Sequence, residues 1–159
     1  MKKWPVVFVF VLVLSFGGML LLVALSPDFV EPVSLLSQEG ITEDNPIWEK
    51  TLDDLSKYLI SEGVISSEDY GLLSAGVATD ARLYDNVEFY WWDVKNLEKG
   101  TAEYKAYEEA VTDGVIDLWD SGNMMNVTVH GPFGVVYHAN YAGDVDRLLE
   151  VFYAYCAEE

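Results

Sequence analysis

One eleven-residue stretch of the chain is rich in oxygen-bearing side chains and is the main candidate for metal chemistry. Its potential ligands are Asp113, Asp117, Asp120 and Asn123. Calcium prefers oxygen ligands of this kind, contributed by a loop. The spacing does not match the D-x-[DN]-x-[DN]-G pattern of an EF-hand, so a calcium site and a plain turn are both open. No other cofactor is expected.

Aromatic residues form a second candidate site, for a sugar or an extended peptide. The segment Val87–Trp92 is dense in aromatic residues and predicts a β-strand. Alternation along a strand puts Tyr90 and Trp92 on one face, and Trp119 follows later in the sequence. Exposed aromatics beside carboxylates often hold such ligands, so these three residues are the predicted binding residues. If both faces of the sheet are covered, they belong to the core instead.

Histidine and cysteine are too sparse to predict a catalytic centre. The chain has two histidines, His130 and His138, and one cysteine, Cys156. Zinc sites usually draw on clusters of both residue types, and neither a nucleophile elbow nor a glycine-rich phosphate loop is present. We therefore expect a domain without catalytic activity. A small hydrolase is an alternative, and it would need a histidine within hydrogen-bond reach of a serine or a carboxylate.

The N-terminal segment has the pattern of a membrane span. Residues 4–25 carry no charge, and as a helix they would be about 33 Å long, close to the ~30 Å hydrocarbon core of a bilayer. Lys2 and Lys3 precede this segment, whereas Asp28 and Glu31 follow it. The positive-inside rule then predicts a cytoplasmic N-terminus and an extracellular C-terminal domain. The alternative is a secretory signal whose cleavage would release the protein.

The rest of the chain is strongly acidic but has enough apolar residues for a core. Beyond Leu25, seven basic residues stand against 27 acidic ones, a formal charge of −20. Such a surface repels phosphates, so nucleic acid is not expected as a partner. Eighteen aromatic residues in this part are sufficient to build a hydrophobic core. A protein, peptide or glycan is the expected partner.

The predicted organisation is a signal anchor in residues 1–25, an acidic, proline-containing linker in 26–45 and an α+β domain in 46–159. Two hairpins are predicted, one from Ala81 to Trp92 and one from Met125 to Ala139. Four helices are predicted, with N-caps at Asn45, at Ser66 or Ser67, at Thr101 and at Asp144. Hairpins need no crossover, so we expect a four-stranded antiparallel sheet with the helices mainly on one face.

These features predict a membrane-tethered extracytoplasmic binding or interaction domain, of a kind typical of bacterial surfaces. Three alternatives are open: a carbohydrate- or peptide-binding module that uses exposed aromatics, a small surface hydrolase, and an accessory subunit of a membrane complex. An exposed Trp92 would favour the carbohydrate- or peptide-binding module. A histidine within hydrogen-bond reach of a serine or a carboxylate would favour the hydrolase.

Overall fold

The structure, a computed structural model, describes residues 35–36, 38–66, 70–71, 76–118 and 121–155. The predicted membrane span and half of the predicted linker lie outside these residues. Within the described ranges, no helix has the length and apolar character needed to span a bilayer.

An antiparallel sheet lies at the centre of the domain. Its four main strands are β2 (Asp80–Tyr84), β3 (Val87–Trp91), β6 (Thr128–His130) and β7 (Phe133–Tyr137). A two-residue strand, β1 (Tyr70–Gly71), lies beside β2, which gives the order β1-β2-β3-β7-β6. The predicted α+β class and four-stranded antiparallel sheet are confirmed, with β1 as an added edge.

The first predicted hairpin is confirmed in its strands and its turn. Tyr84 pairs with Val87, so the connection has two residues. Asp85 and Asn86 occupy this turn with φ of 49° and 68°. A two-residue type I′ turn matches the twist of the two strands that it joins, and it requires positive φ at both of its central residues. Asn and Asp tolerate positive φ better than most residues do.

The second predicted hairpin is only half right. Thr128–His130 pairs with Phe133–Tyr137 as expected. The preceding residues Met124–Asn126 form a separate strand, β5, which pairs with β4 (Val115–Asp117) in a second, two-stranded sheet. A three-residue strand is too short to show alternation, so its partner could not be read from the sequence pattern.

Three α-helices are described: α1 (Leu52–Ser61), α2 (Ala102–Asp113) and α3 (Val145–Ala154). The caps predicted for the last two are confirmed, because the Thr101 and Asp144 side chains accept hydrogen bonds from backbone amides of their first turns. Side-chain oxygens at this position satisfy amides that have no partner within the helix.

The two N-terminal helix predictions need correction. The helix predicted from Asn45 is broken into a 3₁₀ helix (Pro46–Glu49) and α1. The break occurs where the backbone N–H of Thr51 donates to Asp54 Oδ2 over 3.0 Å, which starts a new helix. The second predicted helix is wrong at Tyr70–Gly71, which is strand β1, and the rest of it lies outside the described residues apart from Ser66.

Helices cover both faces of the sheet rather than mainly one. On one face, the ring of Tyr107 from α2 lies 5.2 Å from that of Trp92. On the opposite face, Tyr155 at the end of α3 lies 5.8 Å from Phe133 of β7. The expectation that the helices pack mainly on one face is therefore wrong. As a result, β3 has buried side chains on both faces, Val87 and Phe89 on one and Tyr90 on the other.

Part of the predicted linker is folded onto the domain. Gln38 forms a β-bridge with Ile41, whose side chain is in the core. The Gln38 amide donates to Tyr107 Oη over 2.7 Å and to the Gly131 carbonyl over 2.9 Å, and it accepts from Gly131 N over 3.0 Å. We refer to Gln38–Ile41 as the N-terminal strap. It extends the packed domain to residues before Pro46.

Candidate functional site

The structure describes three of the four predicted calcium residues, so the calcium site stays a prediction. Asp117 Oδ1 accepts a hydrogen bond from Ser121 N over 3.1 Å, and its Oδ2 accepts one from Gly122 N over 3.0 Å. Asp113 and Asn123 are exposed, and Asp120 lies outside the described residues. No group of three or more His, Cys, Asp or Glu residues in the described ranges could hold a metal ion. Asp117 thus closes a turn.

The predicted aromatic site is brought together in part, but inside the core. Trp92 is fully buried, and its Nε1 donates to the Val77 carbonyl over 2.7 Å. Tyr90 is also buried, with its ring stacked 6.1 Å from that of Trp92. Trp119 lies outside the described residues. Tyr90 and Trp92 therefore offer no open platform to a sugar or peptide.

A different polar group lies on the same face of the sheet as Tyr90. Glu88 precedes Tyr90 by two positions on β3, and it pairs with Val136 of β7. His138 follows Val136 by two positions, so the ladder brings His138 beside Glu88. The Tyr90 hydroxyl donates to Glu88 Oε2, and His138 Nε2 lies 2.6 Å from Glu88 Oε1. We call these three residues the Glu88 cluster.

The Glu88 cluster satisfies a carboxylate that is largely withdrawn from water. The side chain of Glu88 is 13% exposed, whereas that of His138 is 38% exposed. Burial raises the pKa of Tyr90, and the hydrogen bond to Glu88 and its charge raise this pKa further. The hydroxyl therefore remains a proton donor, and each carboxylate oxygen has one partner, as a buried charge requires.

This cluster was missed at the sequence level because its members come from two strands. The hint available was a lone glutamate inside an aromatic strand, two positions before a tyrosine. Pairing of Glu88 with His138 depends on the register of β3 against β7, and these strands are not joined by a hairpin turn. A single sequence does not specify that register.

An open groove borders the Glu88 cluster at His138. It has a volume of about 350 Å³ and is lined by Met125–Thr128 on one side and Val136–Ala139 on the other. The groove lies where the two sheets separate. The N–H of Val127 donates to Gly114 O over 2.9 Å, so the chain before Thr128 leaves β7 and the β6–β7 ladder ends there. Tyr137 lines it and is 45% exposed. We call it the β7 groove.

His130 occupies a separate environment. It pairs with Phe133, and its ring lies edge-on to Phe152 and Tyr153 of α3 at 6.0 and 5.1 Å. Its buried Nε2 has no hydrogen-bond partner in the described structure, and burial lowers its pKa, with a backbone hydrogen bond to Tyr153 acting in the opposite direction. The two histidines therefore do not converge on one site.

Comparison with known proteins adds no family to this geometry: no protein-family model, no curated protein and no solved structure matches the chain. The Glu88 cluster and the β7 groove are therefore the basis for assigning a role. A histidine that is held in place by a carboxylate can act as an oriented proton acceptor. An open groove with an exposed tyrosine can hold a peptide or protein segment.

Proposed function

We propose that the chain is a membrane-tethered, extracytoplasmic domain that binds a protein or peptide partner and has no catalytic activity. The tether is supported by the uncharged residues 4–25 behind Lys2 and Lys3, which lie outside the described structure. The observation that carries the binding role is the β7 groove, an open cleft bordered by the exposed Tyr137.

The distribution of exposed apolar side chains supports a binding role for this region. Among the described residues, the large exposed hydrophobic side chains are Ile60, Met124, Tyr137 and Tyr153. Tyr137 lines the β7 groove, and Met124 directly precedes Met125, which also lines it. A large exposed apolar side chain that lines an open groove, as Tyr137 does, is a candidate contact for a partner.

A protein or peptide partner is favoured over a glycan. Sugar recognition through aromatic stacking needs an open ring face, and Tyr90 and Trp92 are both buried. The β7 groove is bordered by strand backbone and by the partly exposed rings of Tyr137 and His138. Strand backbone at the side of a groove is better suited to a peptide chain than to a sugar ring.

Site-specific photocrosslinking on intact cells tests the binding role. A photoreactive residue at Tyr137 or Met124 is expected to yield a defined crosslinked partner. Positions Ile60 and Tyr153, which are also exposed but lie on helices α1 and α3, are the controls and should yield none. Equal crosslinking at all four positions, or none at Tyr137 and Met124, would contradict the proposal.

A small hydrolase is the second candidate, because the Glu88 cluster meets its geometric requirement. His138 Nε2 lies 2.6 Å from a carboxylate oxygen, as in a histidine base oriented by an acid. None of the described hydrogen bonds joins a serine, threonine or cysteine to His138, so water would have to be the nucleophile. Hydrolysis of ester or peptide substrates that is lost in a folded His138→Gln protein would establish this candidate and refute the non-catalytic role.

A further inference from the structure

We infer that the β7 groove accepts an extended, positively charged segment of a partner protein, which adds to the sheet as a strand beside Tyr137. This inference rests on the proposed binding function and specifies its partner. Strand addition draws its affinity from backbone hydrogen bonds and its selectivity from alternate side chains.

The backbone of Tyr137 points toward the groove. His138 N donates to Asn86 O over 3.0 Å, so the backbone groups of His138 point toward β3. Neighbouring residues of an antiparallel strand direct their N–H and C=O groups to opposite sides. The N–H and C=O of Tyr137 therefore point away from β3, toward the side on which β6 lies.

On that side the ladder has already ended. The last residue pair between β6 and β7 joins Thr128 to Val135. A continued ladder would place Asn126 opposite Tyr137, but Asn126 pairs with Val115 in the two-stranded sheet. Among the described residues, Tyr137 thus has no strand partner on this side. An added strand would give its backbone groups the partners that they lack.

The dimensions of the β7 groove fit a short extended segment. β7 ends at Tyr137, and His138, whose N–H donates to Asn86 O, continues its line before the turn that begins at Ala139. At ~3.3 Å per residue, residues 136–138 correspond to about 10 Å of extended backbone, which is about three peptide residues. The half-exposed ring of Tyr137 would contact alternate side chains of that segment. A pairing of this length is weak alone and needs support from side chains or charge.

Charge favours a cationic partner. The chain has 27 acidic residues against nine lysines and arginines, a net charge of −18. An exposed carboxylate also lies near the groove: Asp113 precedes Gly114, whose carbonyl accepts a hydrogen bond from the N–H of Val127 in the groove lining. Lysine or arginine side chains flanking the added strand would be attracted to these acids, whereas an acidic strand would be repelled.

Peptide binding to the full-length chain in detergent tests the inference. The probe is a fluorescent Lys-Val-Lys-Val-Lys peptide, with Glu-Val-Glu-Val-Glu and a backbone N-methylated cationic peptide as comparisons. We expect saturable binding of the cationic probe, at least tenfold weaker binding after N-methylation and none of the acidic peptide. Equal binding of the N-methylated probe would overturn strand addition, because only attraction between charges would remain.

Variants at Tyr137 locate the binding. Tyr137→Pro removes the outward-pointing N–H, and proline is tolerated where a strand N–H has no partner in the sheet. Tyr137→Ala retains the N–H and removes the ring. We expect at least a tenfold loss of affinity for Tyr137→Pro, a smaller loss for Tyr137→Ala and a change below twofold for the control Tyr153→Ala. Unchanged affinity in both Tyr137 variants would overturn the inference.

Two further outcomes separate this inference from the proposed function. A full-length chain that binds none of the peptides, yet forms a crosslink to a partner through Tyr137, would refute a cationic strand and leave the binding function standing. A dimer that forms without peptide and is lost in Tyr137→Pro would identify a second copy of the chain as the occupant, which would also overturn the cationic partner.

Discussion

Glu88 illustrates how one charged residue is accommodated in a core strand. Its neighbours on β3 include the buried Val87, Phe89 and Tyr90, and its own side chain is mostly withdrawn from water. Tyr90 and His138 each bind one carboxylate oxygen. A buried carboxylate that loses a partner retains its desolvation cost, so the contribution of each partner can be measured by removing it.

Tyr90→Phe is expected to lower the free energy of unfolding by about 1–3 kcal/mol, because the ring remains while Glu88 Oε2 loses its donor. Urea denaturation of the wild-type and variant proteins measures the change. Tyr137→Phe is the control, since that side chain is exposed, and it should change stability by less than about 0.5 kcal/mol. Equal stability of Tyr90→Phe and wild type would show that Glu88 does not depend on this hydrogen bond.

His130 makes stability depend on pH below its ordinary pKa of 6.5. Burial lowers the pKa of His130 in the folded state, so the unfolded chain takes up a proton first as pH falls. The contribution of neutral His130 is therefore fully present above pH 6.5 and decreases as pH falls from 6.5 toward the lower folded value.

The expected result is that wild type loses stability between pH 7 and 5 more steeply than His130→Phe does. Unfolding curves measured at several pH values for both proteins provide the comparison. His138→Gln is the control. It retains His130, so it should show the same His130-dependent loss of stability between pH 7 and 5 as wild type. An identical pH dependence in wild type and His130→Phe would contradict the assignment.

Sequence reasoning was most reliable where an element is defined by its own residues. Thr101, Asp144 and the turn residues Asp85 and Asn86 act on neighbours within a few positions, and all four were predicted in the roles that they have. The 3₁₀ break after Glu49 was missed because Asn45 and Thr51 both carry N-cap signals. Pro46 fits either a continuous or a broken helix.

Elements defined by distant partners could not be predicted in the same way. Strands β4 and β5 are each three residues long, and they exist because they pair with each other across an intervening loop. The burial of Trp92 depends on α2, which follows in the sequence and packs over it through Tyr107. The candidate site could not be predicted either, because the Glu88 cluster and the β7 groove depend on strand register and on the divergence of two sheets.

The N-terminal strap depends on Gln38, which hydrogen-bonds to both backbone groups of Gly131. Gln38→Ala should lower the free energy of unfolding by about 1–3 kcal/mol, because Gly131 and Tyr107 lose partly buried partners. Increased hydrogen exchange at Gly131 should accompany this loss. Glu39→Ala, at the exposed neighbouring position, is the control. Unchanged exchange at Gly131 in Gln38→Ala would contradict this role of the strap.

At the scale of the whole molecule, a strongly acidic chain combines a closed aromatic core with the β7 groove, where strand backbone is open to a partner. The net charge of −18 limits self-association and selects against anionic partners. Burial of Tyr90 and Trp92 removes the predicted aromatic platform, and the β7 groove is the place where we propose that a partner binds. The proposed membrane anchor would keep this groove on the outer side of the cell.

Thiol labelling on intact cells tests location and binding together. Tyr137→Cys and Tyr153→Cys are made in the full-length chain with Cys156→Ser, since the two tyrosines are 45% and 47% exposed. A membrane-impermeant maleimide should label Tyr153→Cys fully before lysis, and it should label Tyr137→Cys more slowly on cells than in the purified protein, because a partner covers the groove. Labelling of either cysteine only after lysis, or equal rates for Tyr137→Cys on cells and in purified protein, would contradict an extracytoplasmic domain that binds through the β7 groove.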